Sequence, residues 1–254
     1  MNNVIDVRGL KIGSGTPKIC VPIVGKTSSE IMDAARALSE VKHDLVEWRV
    51  DWFENSTSSI DLLSVLTGLR NILEDTPLLF TFRTSAEGGE TEIDKETYFK
   101  VNLNAIETGL IDLIDVELFM GEDLATQIID AAHSRNIKVV ISNHDFERTP
   151  AKKEIITRLQ RMQNLGADIC KIAVMPLDKN DVLTLLNATE EMNDTYASVP
   201  IVTMSMGKLG VLSRICGEFF GSAITFGTAG NESAPGQIPA NELSILINKM
   251  HGLF

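Results

Sequence analysis

Two polar side chains interrupt apolar stretches of the sequence. Lys171 lies at the centre of the run 169–174, where aliphatic side chains are expected, and His144 follows the apolar run that begins at Lys138. A lysine amine attacks a carbonyl carbon only in its neutral form, and histidine transfers protons near neutral pH. An amine and an imidazole at one small substrate indicate imine chemistry, in which the imine withdraws electrons and the histidine moves a proton.

The lysine has two interpretations. Burial and nearby cations favour the neutral, nucleophilic amine, and Arg49 and Arg83 are the candidate cations. Alternatively, Lys171 is a structural counter-ion of Glu47 or Glu117, because a lysine is rarely buried without a partner.

Eight short apolar runs are predicted to be the strands that position these side chains. They begin at Ile19, Asp44, Leu78, Leu113, Lys138, Ala167, Pro200 and Ala223. Apolar strands that alternate with helical segments indicate a parallel sheet covered on both faces. Eight such units in 254 residues favour an α/β fold of the (β/α)8 TIM barrel type over a doubly wound open sheet. We predict one catalytic barrel domain over residues 1–254.

Helical spacing of apolar residues predicts helices over 28–41, 150–165, 178–196 and 239–250. In the second of these, Thr149 is the predicted N-cap, Pro150 the first helical residue and Gly166 the C-terminal cap. The first residues, VIDVRG followed by LKIG, predict a short β-hairpin that closes the bottom of the barrel.

Polar residues cluster where the strands are predicted to end, which is where barrel enzymes place their active sites. They include Glu47, Arg49, Arg83, Glu87, Asp115, Glu117, His144, Lys171, Arg214, Ser233 and Gln237. Some have a purely structural interpretation: Asp115 and Glu117 as members of ion pairs inside the barrel, and Arg49 as the partner of Glu47. Their convergence on one rim favours a functional site.

Charge and composition narrow the possible partners. The net charge of −12 argues against nucleic acid, which requires a basic surface. The three cysteines form no metal-binding spacing, and their odd number favours a reducing compartment. The N-terminal segment has no apolar core of the signal-peptide type, and no apolar run reaches the length of a membrane span. We expect a cytoplasmic protein without a membrane or metal partner.

Seven motifs occur in one order along the chain: EWRVD from Glu47, FTFR from Phe80, EGGE from Glu87, SNHDF from Ser142, GADI-KIAVMP around Lys171, TMSM from Thr203 and SAPGQ from Ser233. Together they resemble the type I 3-dehydroquinate dehydratases over essentially the whole sequence. The resemblance implies a lyase that converts 3-dehydroquinate to 3-dehydroshikimate by syn elimination through a lysine Schiff base. That reaction is the third step of the shikimate pathway, which leads to aromatic amino acids. The family also implies a homodimer and no cofactor.

The resemblance also implies roles for individual residues. Lys171 forms the imine, His144 transfers protons, Glu87 orients His144, and Arg214 binds the substrate carboxylate. The remaining matches contact the substrate, support the pocket or line its apolar part: Glu47, Arg49, Arg83, Ser233, Gln237, Met204, Met206 and Phe226. Because Ser233 and Gln237 lie in a stretch that contains glycine and proline, we predict a mobile lid there.

Two positions depart from the family pattern. Pro22 replaces a serine found in many members, so one polar contact to the substrate is lost. Cys170 replaces a proline immediately before the lysine, and strand alternation is expected to point its side chain away from the pocket.

Two other functions compete with this prediction. A class I aldolase also uses a barrel lysine imine, but it would cleave a C–C bond. A non-catalytic ligand-binding barrel would lack Lys171, His144 or Glu87, and this chain carries all three.

Overall fold

The fold is built on a curled parallel sheet. The computed structural model of the chain describes residues 3–230 and 233–253. Its strands are β1 (Ile5–Val7), β2 (Leu10–Ile12), β3 (Lys18–Ile23), β4 (Leu45–Arg49), β5 (Leu78–Thr81), β6 (Leu113–Glu117), β7 (Lys138–Asp145), β8 (Ile169–Val174), β9 (Ile201–Ser205), β10 (Ile224–Thr228) and β11 (Ile238–Pro239).

Strands β3 to β10 correspond to the eight predicted runs and form the barrel. They are parallel and pair in chain order from β3 to β9, while β10 pairs with β3 and with the short β11. The two ends of the curled sheet meet where the Ile201 carbonyl accepts a hydrogen bond of 2.8 Å from the Ala223 amide. The predicted α/β barrel is therefore confirmed.

Helices cover the outside of the sheet. They are α1 (Ser28–Ala37), α2 (Ser59–Leu73), α3 (Lys95–Thr108), α4 (Glu122–Ser134), α5 (Lys152–Asn164), α6 (Lys179–Glu191), α7 (Val211–Ile215), α8 (Gly217–Phe220) and α9 (Ala240–His251). None of the helices in the described part of the chain combines the length and the apolar character needed to cross a bilayer.

The predicted start of the second helix is wrong. Helix α5 begins at Lys152 with Ala151 at its N-cap, and the Thr149 hydroxyl instead donates a hydrogen bond of 3.0 Å to the Met175 carbonyl. Thr149 and Pro150 therefore belong to the loop that joins β7 to α5. Gly166 follows the C-terminal end of the helix with a φ of +99°, as its predicted capping role requires.

Side chains inside the barrel are arranged in layers because alternate strand residues face inward. The lower layer is apolar and consists of Leu45, Leu79, Leu113, Val140 and Ile169. Two residues further along the same strands, the next layer is polar and consists of Glu47, Thr81, Asp115, Ser142 and Lys171. The intervening residues pack against the helices. Strand geometry thus places a layer of buried polar groups directly above an apolar floor.

The predicted N-terminal hairpin is present as a separate antiparallel sheet of β1 and β2. Its turn uses Arg8 and Gly9, both with positive φ, which suits a two-residue hairpin. Arg8 Nε also lies 2.6 Å from Asp112 Oδ1 at the start of β6. Val7 and Ile12 pack into the apolar cluster that forms the barrel floor, so the hairpin closes the bottom of the barrel as predicted.

Pro22 changes the pairing of the first barrel strand. The Lys18 amide donates to the Ala223 carbonyl at the start of β10, and alternation places the nitrogen of Pro22 on the same side of β3. Proline has no amide hydrogen to donate. The pairing between β3 and β10 ends at Cys20 and Phe226, whereas β3 stays paired with β4 as far as Ile23.

We predict that Ile12→Ala lowers the free energy of unfolding by about 2–5 kcal/mol, because it opens a cavity in a fully buried contact beneath the barrel. Urea unfolding of the whole chain measures this change. The control is Lys11→Ala on the exposed face of the same strand, which should stay within about 0.5 kcal/mol of the wild type. Equal stability of the two variants would contradict the role of the hairpin as the floor.

Candidate active site

A cavity at the C-terminal ends of the strands contains all twelve residues predicted to form the site. The empty space in it, including the open mouth, is about 460 Å³. The remaining lining residues are Gly88, Phe146, Ala173 and Ala234. The structure therefore brings together residues from six barrel strands and the loops that follow them.

Arg83, just beyond β5, is the buried cation at the centre of this polar layer, and only 3% of it is exposed. Its Nη2 atom lies 2.8 Å from Asp115 Oδ1, and its Nη1 atom lies 2.9 Å from Glu117 Oε1 and 3.7 Å from Glu87 Oε2. Nη1 also donates to Ser142 Oγ at 3.0 Å. Burial opposes the charge, but the three carboxylates together raise the pKa of Arg83 well above its ordinary value.

Lys171 projects from β8 into the same layer and is 5% exposed. Its Nζ atom lies 3.4 Å from Asp115 Oδ2, 3.7 Å from Glu47 Oε1 and 4.5 Å from the centre of the Phe226 ring. Burial raises the pKa of Asp115, but Arg83 and Lys171 outweigh that effect and hold it below its ordinary value. The amine therefore sits between two carboxylates and an aromatic face.

The two arginines predicted to be the cations near Lys171, Arg49 and Arg83, are both paired with carboxylates. Arg49 donates to both carboxylate oxygens of Asp51, from Nε at 2.9 Å and from Nη2 at 2.8 Å. The suggested pairing of Arg49 with Glu47 is therefore wrong. Glu47 instead accepts a hydrogen bond of 2.9 Å from the Thr81 hydroxyl. The close charged neighbours of Lys171 are anions, as the counter-ion interpretation predicts. These contacts do not test whether Lys171 acts as a nucleophile.

His144, near the end of β7, is held by one carboxylate at two points. Glu87 Oε2 lies 3.0 Å from His144 Nδ1 and accepts a hydrogen bond of 2.9 Å from the His144 amide. While Glu87 is ionised it only accepts hydrogen bonds, so Nδ1 then carries the hydrogen and Nε2 of the neutral ring is the basic atom. Burial lowers the pKa of His144 well below its ordinary value, and the positive charges of Arg83, Lys171 and Arg49 lower it further.

Glu87 has an elevated proton affinity. Burial raises its pKa to about 7, helped by repulsion from Glu117 and opposed by Arg83 and by hydrogen bonds from Asn143 and the His144 amide. The carboxylate that orients the imidazole thus changes its charge near neutral pH.

The loop that carries Glu87 folds back tightly over the strand ends. Gly88 has a φ of +83°, and a Cβ atom there would lie 2.2 Å from the Phe146 ring. A Cβ atom on Gly89 would lie 1.9 Å from the Arg83 carbonyl oxygen. The two glycines of the EGGE motif are therefore required for Glu87 to reach His144.

The segment predicted to be a lid, from Ser233 to Gln237, lies over the cavity and contacts Arg49 and Arg214. Arg49 Nη1 donates to the Ser233 carbonyl at 3.2 Å, and Arg214 Nη2 donates to the Pro235 carbonyl at 3.0 Å. Gln237 closes the segment on itself, accepting from the Ser233 amide and donating to its hydroxyl. Two arginine side chains of the cavity therefore hold this segment in place.

Polar residues around the site that lie outside the twelve predicted to form it include Asp51, Thr81, Asp115, Glu117, Ser142 and Asn143. Thr81 precedes Arg83 by two residues, and Ser142 precedes His144 by two. Strand alternation therefore could have predicted that both face the barrel interior. Asp51 lies beyond the end of β4 in a short 3-10 turn, where no periodicity reveals its orientation.

Cys170 faces away from the cavity, as alternation predicted. It is fully buried in the apolar layer between sheet and helices, and this burial raises the pKa of its thiol to about 12. It therefore packs as a small apolar residue.

Comparisons with known proteins point to one family. The family model of type I 3-dehydroquinase matches residues 19–253. A 3-dehydroquinate dehydratase from Clostridioides difficile is 52% identical over 251 residues, covering 99% of this chain and 98% of the relative. A solved structure of the type I enzyme from Clostridium difficile, with covalently modified comenic acid, has a TM-score of 0.97 at 51% identity and full coverage of both chains. The Enterococcus faecalis 3-dehydroquinate dehydratase has a TM-score of 0.90 at 45% identity, covering 96% of this chain and 98% of its own.

Glu87→Gln is expected to change how folding stability varies with pH. The pKa of Glu87 is about 7 in the folded protein and 4.5 ordinarily, so its stabilising contribution is complete below pH 4.5 and is lost as the pH rises through 7. That difference corresponds to about 3 kcal/mol. Because glutamine does not titrate, the stability of the variant relative to the wild type should increase by about this amount between pH 5 and pH 8.

Urea unfolding across this pH range measures the effect. Glu90→Gln in the same loop is the control, since its side chain is exposed. A stability difference that stays constant with pH for Glu87→Gln would contradict the elevated pKa.

Proposed function

The chain belongs to the type I 3-dehydroquinase family, and from that premise we propose that it converts 3-dehydroquinate to 3-dehydroshikimate and water in the shikimate pathway. One observation carries the proposal: Lys171, His144 with its partner Glu87, and Arg214 line a single cavity at the rim of the barrel. An amine, an oriented base and a carboxylate-binding guanidinium are the groups that this elimination needs.

Binding is assigned to the basic and polar rim of the cavity. Arg214 presents a planar guanidinium suited to a carboxylate. The hydroxyl groups and the carboxylate of the substrate are contacted, or the pocket is supported, by Arg49, Arg83, Glu47, Ser233 and Gln237. The apolar wall of the pocket is formed by Met204, Met206 and Phe226. Holding the ring at several points makes the later proton transfers effectively intramolecular.

Covalent activation is assigned to Lys171. Its nitrogen bonds to the C3 carbonyl carbon, and the carbonyl oxygen leaves as water to give a protonated imine. Only the neutral amine attacks, so the ammonium group first passes a proton to a neighbouring carboxylate, Asp115 or Glu47, which lie 3.4 Å and 3.7 Å from Nζ. That proton returns as the oxygen leaves, and both carboxylates then face the positive charge of the iminium. The counter-ions of the ammonium group thus become preorganised counter-ions of the iminium. The Clostridium difficile relative, described with a covalently modified ligand, supports covalent chemistry in this fold.

Elimination is assigned to His144. Nε2 takes the proton from C2, and the electron pair moves into the C2–C3 bond while the imine nitrogen becomes neutral. The electrons then return to form the C1–C2 double bond as the C1 hydroxyl leaves with the proton from His144, which releases water. Hydrolysis of the conjugated imine returns the ketone and the free amine. Glu87, in its ionised form, keeps the hydrogen on Nδ1.

The broader expectations rest on the family. We propose that residues 1–254 form one catalytic domain that works without a cofactor in the cytoplasm as a homodimer. The net charge of −12 supports a small-molecule partner rather than nucleic acid. The family match disfavours the class I aldolase.

The reaction assay is the increase in ultraviolet absorbance as the conjugated enone forms from 3-dehydroquinate. We expect one enone and one water per substrate. Retro-aldol fragments, or an unchanged substrate, would contradict the proposed reaction.

Borohydride reduction tests the imine. Treatment of the protein with 3-dehydroquinate and borohydride should leave a stable substrate adduct on the peptide that contains Lys171, as measured by mass spectrometry. Lys171→Met should give neither adduct nor enone. Lys208→Met, an exposed lysine in the loop after β9, is the matched control and should behave as the wild type. Turnover by Lys171→Met would contradict the covalent mechanism.

A further inference from the structure

Asn143 connects the site to the outer helices through one side-chain amide. It precedes His144 on β7 and is 3% exposed. Its Nδ2 donates to Glu87 Oε1 at 3.1 Å, and its Oδ1 accepts from Arg158 Nη1 at 2.8 Å. The two oxygens of Glu87 are therefore held separately, Oε1 by Asn143 and Oε2 by His144.

Arg158 is itself fixed from several sides. It lies on α5 with 15% of its side chain exposed, forms an ion pair with Glu154 and lies 3.6 Å from Asp145. Its guanidinium also lies over the Phe119 ring, 5.6 Å from the ring centre. A long side chain held at these points presents Nη1 to Asn143 in one position.

The chemistry of the three groups determines the orientation of the amide. A guanidinium only donates hydrogen bonds and an ionised carboxylate only accepts them. A flipped amide would turn its NH₂ group toward Arg158 and its oxygen toward Glu87, making both contacts repulsive. Arg158 therefore selects the orientation in which Asn143 donates to Glu87.

We propose that Asn143 and Arg158 are positioning residues that hold Glu87 in the orientation from which it fixes the tautomer and angle of His144. This assignment rests on the proposed function, in which Nε2 of His144 must be the basic atom. Arg158 touches neither His144 nor the lining of the cavity in the described structure; it acts through the amide and the carboxylate.

The other charged groups around Glu87 do not fix the orientation of its Oε1 atom as Asn143 does. Arg83 lies 3.7 Å from Oε2 and is shared with Asp115 and Glu117, while Glu117 repels the carboxylate. Loss of the Asn143 bond leaves Oε1 without this donor and makes the ionised form of Glu87 harder to maintain. The pKa of Glu87, already about 7, should then rise further.

The test compares Asn143→Ala and Arg158→Met with Arg161→Met. Arg161 is the matched control because it lies on α5, is 5.8 Å from the centre of the same Phe119 ring and pairs with Glu122 rather than with Asn143. For the first two variants we expect kcat at pH 7 to fall about ten-fold or more with little change in KM, because one hydrogen bond to a charged group is lost. The acid limb of the kcat profile should move to higher pH, and Arg158→Lys should recover part of the loss.

A second measurement does not depend on turnover. The ¹⁵N spectrum of histidine-labelled protein should show His144 mainly as the Nδ1–H tautomer in the wild type and in Arg161→Met. Asn143→Ala and Arg158→Met should show a mixture of the two tautomers.

The outcomes separate this inference from the proposed function. A wild-type protein that forms no enone defeats the proposed function. An active wild type whose acid limb and His144 tautomer are unchanged in both Asn143→Ala and Arg158→Met overturns the positioning role, even where those variants are less stable.

Discussion

The ion pairs of Arg83 are the interaction on which the site depends. A buried carboxylate without a partner is costly, yet the interior of this barrel holds Asp115, Glu117 and Glu87 close together. One guanidinium faces all three, within 2.8 to 3.7 Å. Since Asp115 also faces Lys171 and Glu87 also binds His144, the same cation fixes the partners of both proposed reacting groups.

In this barrel, buried polar and charged side chains occupy part of the interior that apolar side chains would otherwise fill. In the barrel interior an apolar layer is followed, two residues along each strand, by a polar one. The hairpin seals the apolar layer from below, while the Glu87 loop and the Ser233–Gln237 segment cover the polar layer from above. Exclusion of water strengthens every interaction among those charges. The burial that costs stability therefore also increases the effect of the carboxylates and the guanidinium on the reacting groups.

Periodicity and motif order predicted much of this structure. Alternating apolar runs and helical segments gave the barrel, the hairpin and the outward orientation of Cys170, because each follows from local geometry. The pairing of Arg49 with Asp51, the start of α5 and the contact of Asn143 with Glu87 were not predictable in the same way. They depend on which side chains meet after the strands are assembled, and no sequence spacing encodes a choice among several nearby carboxylates.

A crystal structure of the protein after borohydride reduction with 3-dehydroquinate would test the proposed mechanism at its reacting atoms. We expect a bond between Lys171 Nζ and the former C3 carbonyl carbon, with the substrate carboxylate on Arg214 and His144 Nε2 facing C2. Arg83 should remain paired with its carboxylates. A substrate bound without that bond, or bound with its C2 atom turned away from His144, would contradict it.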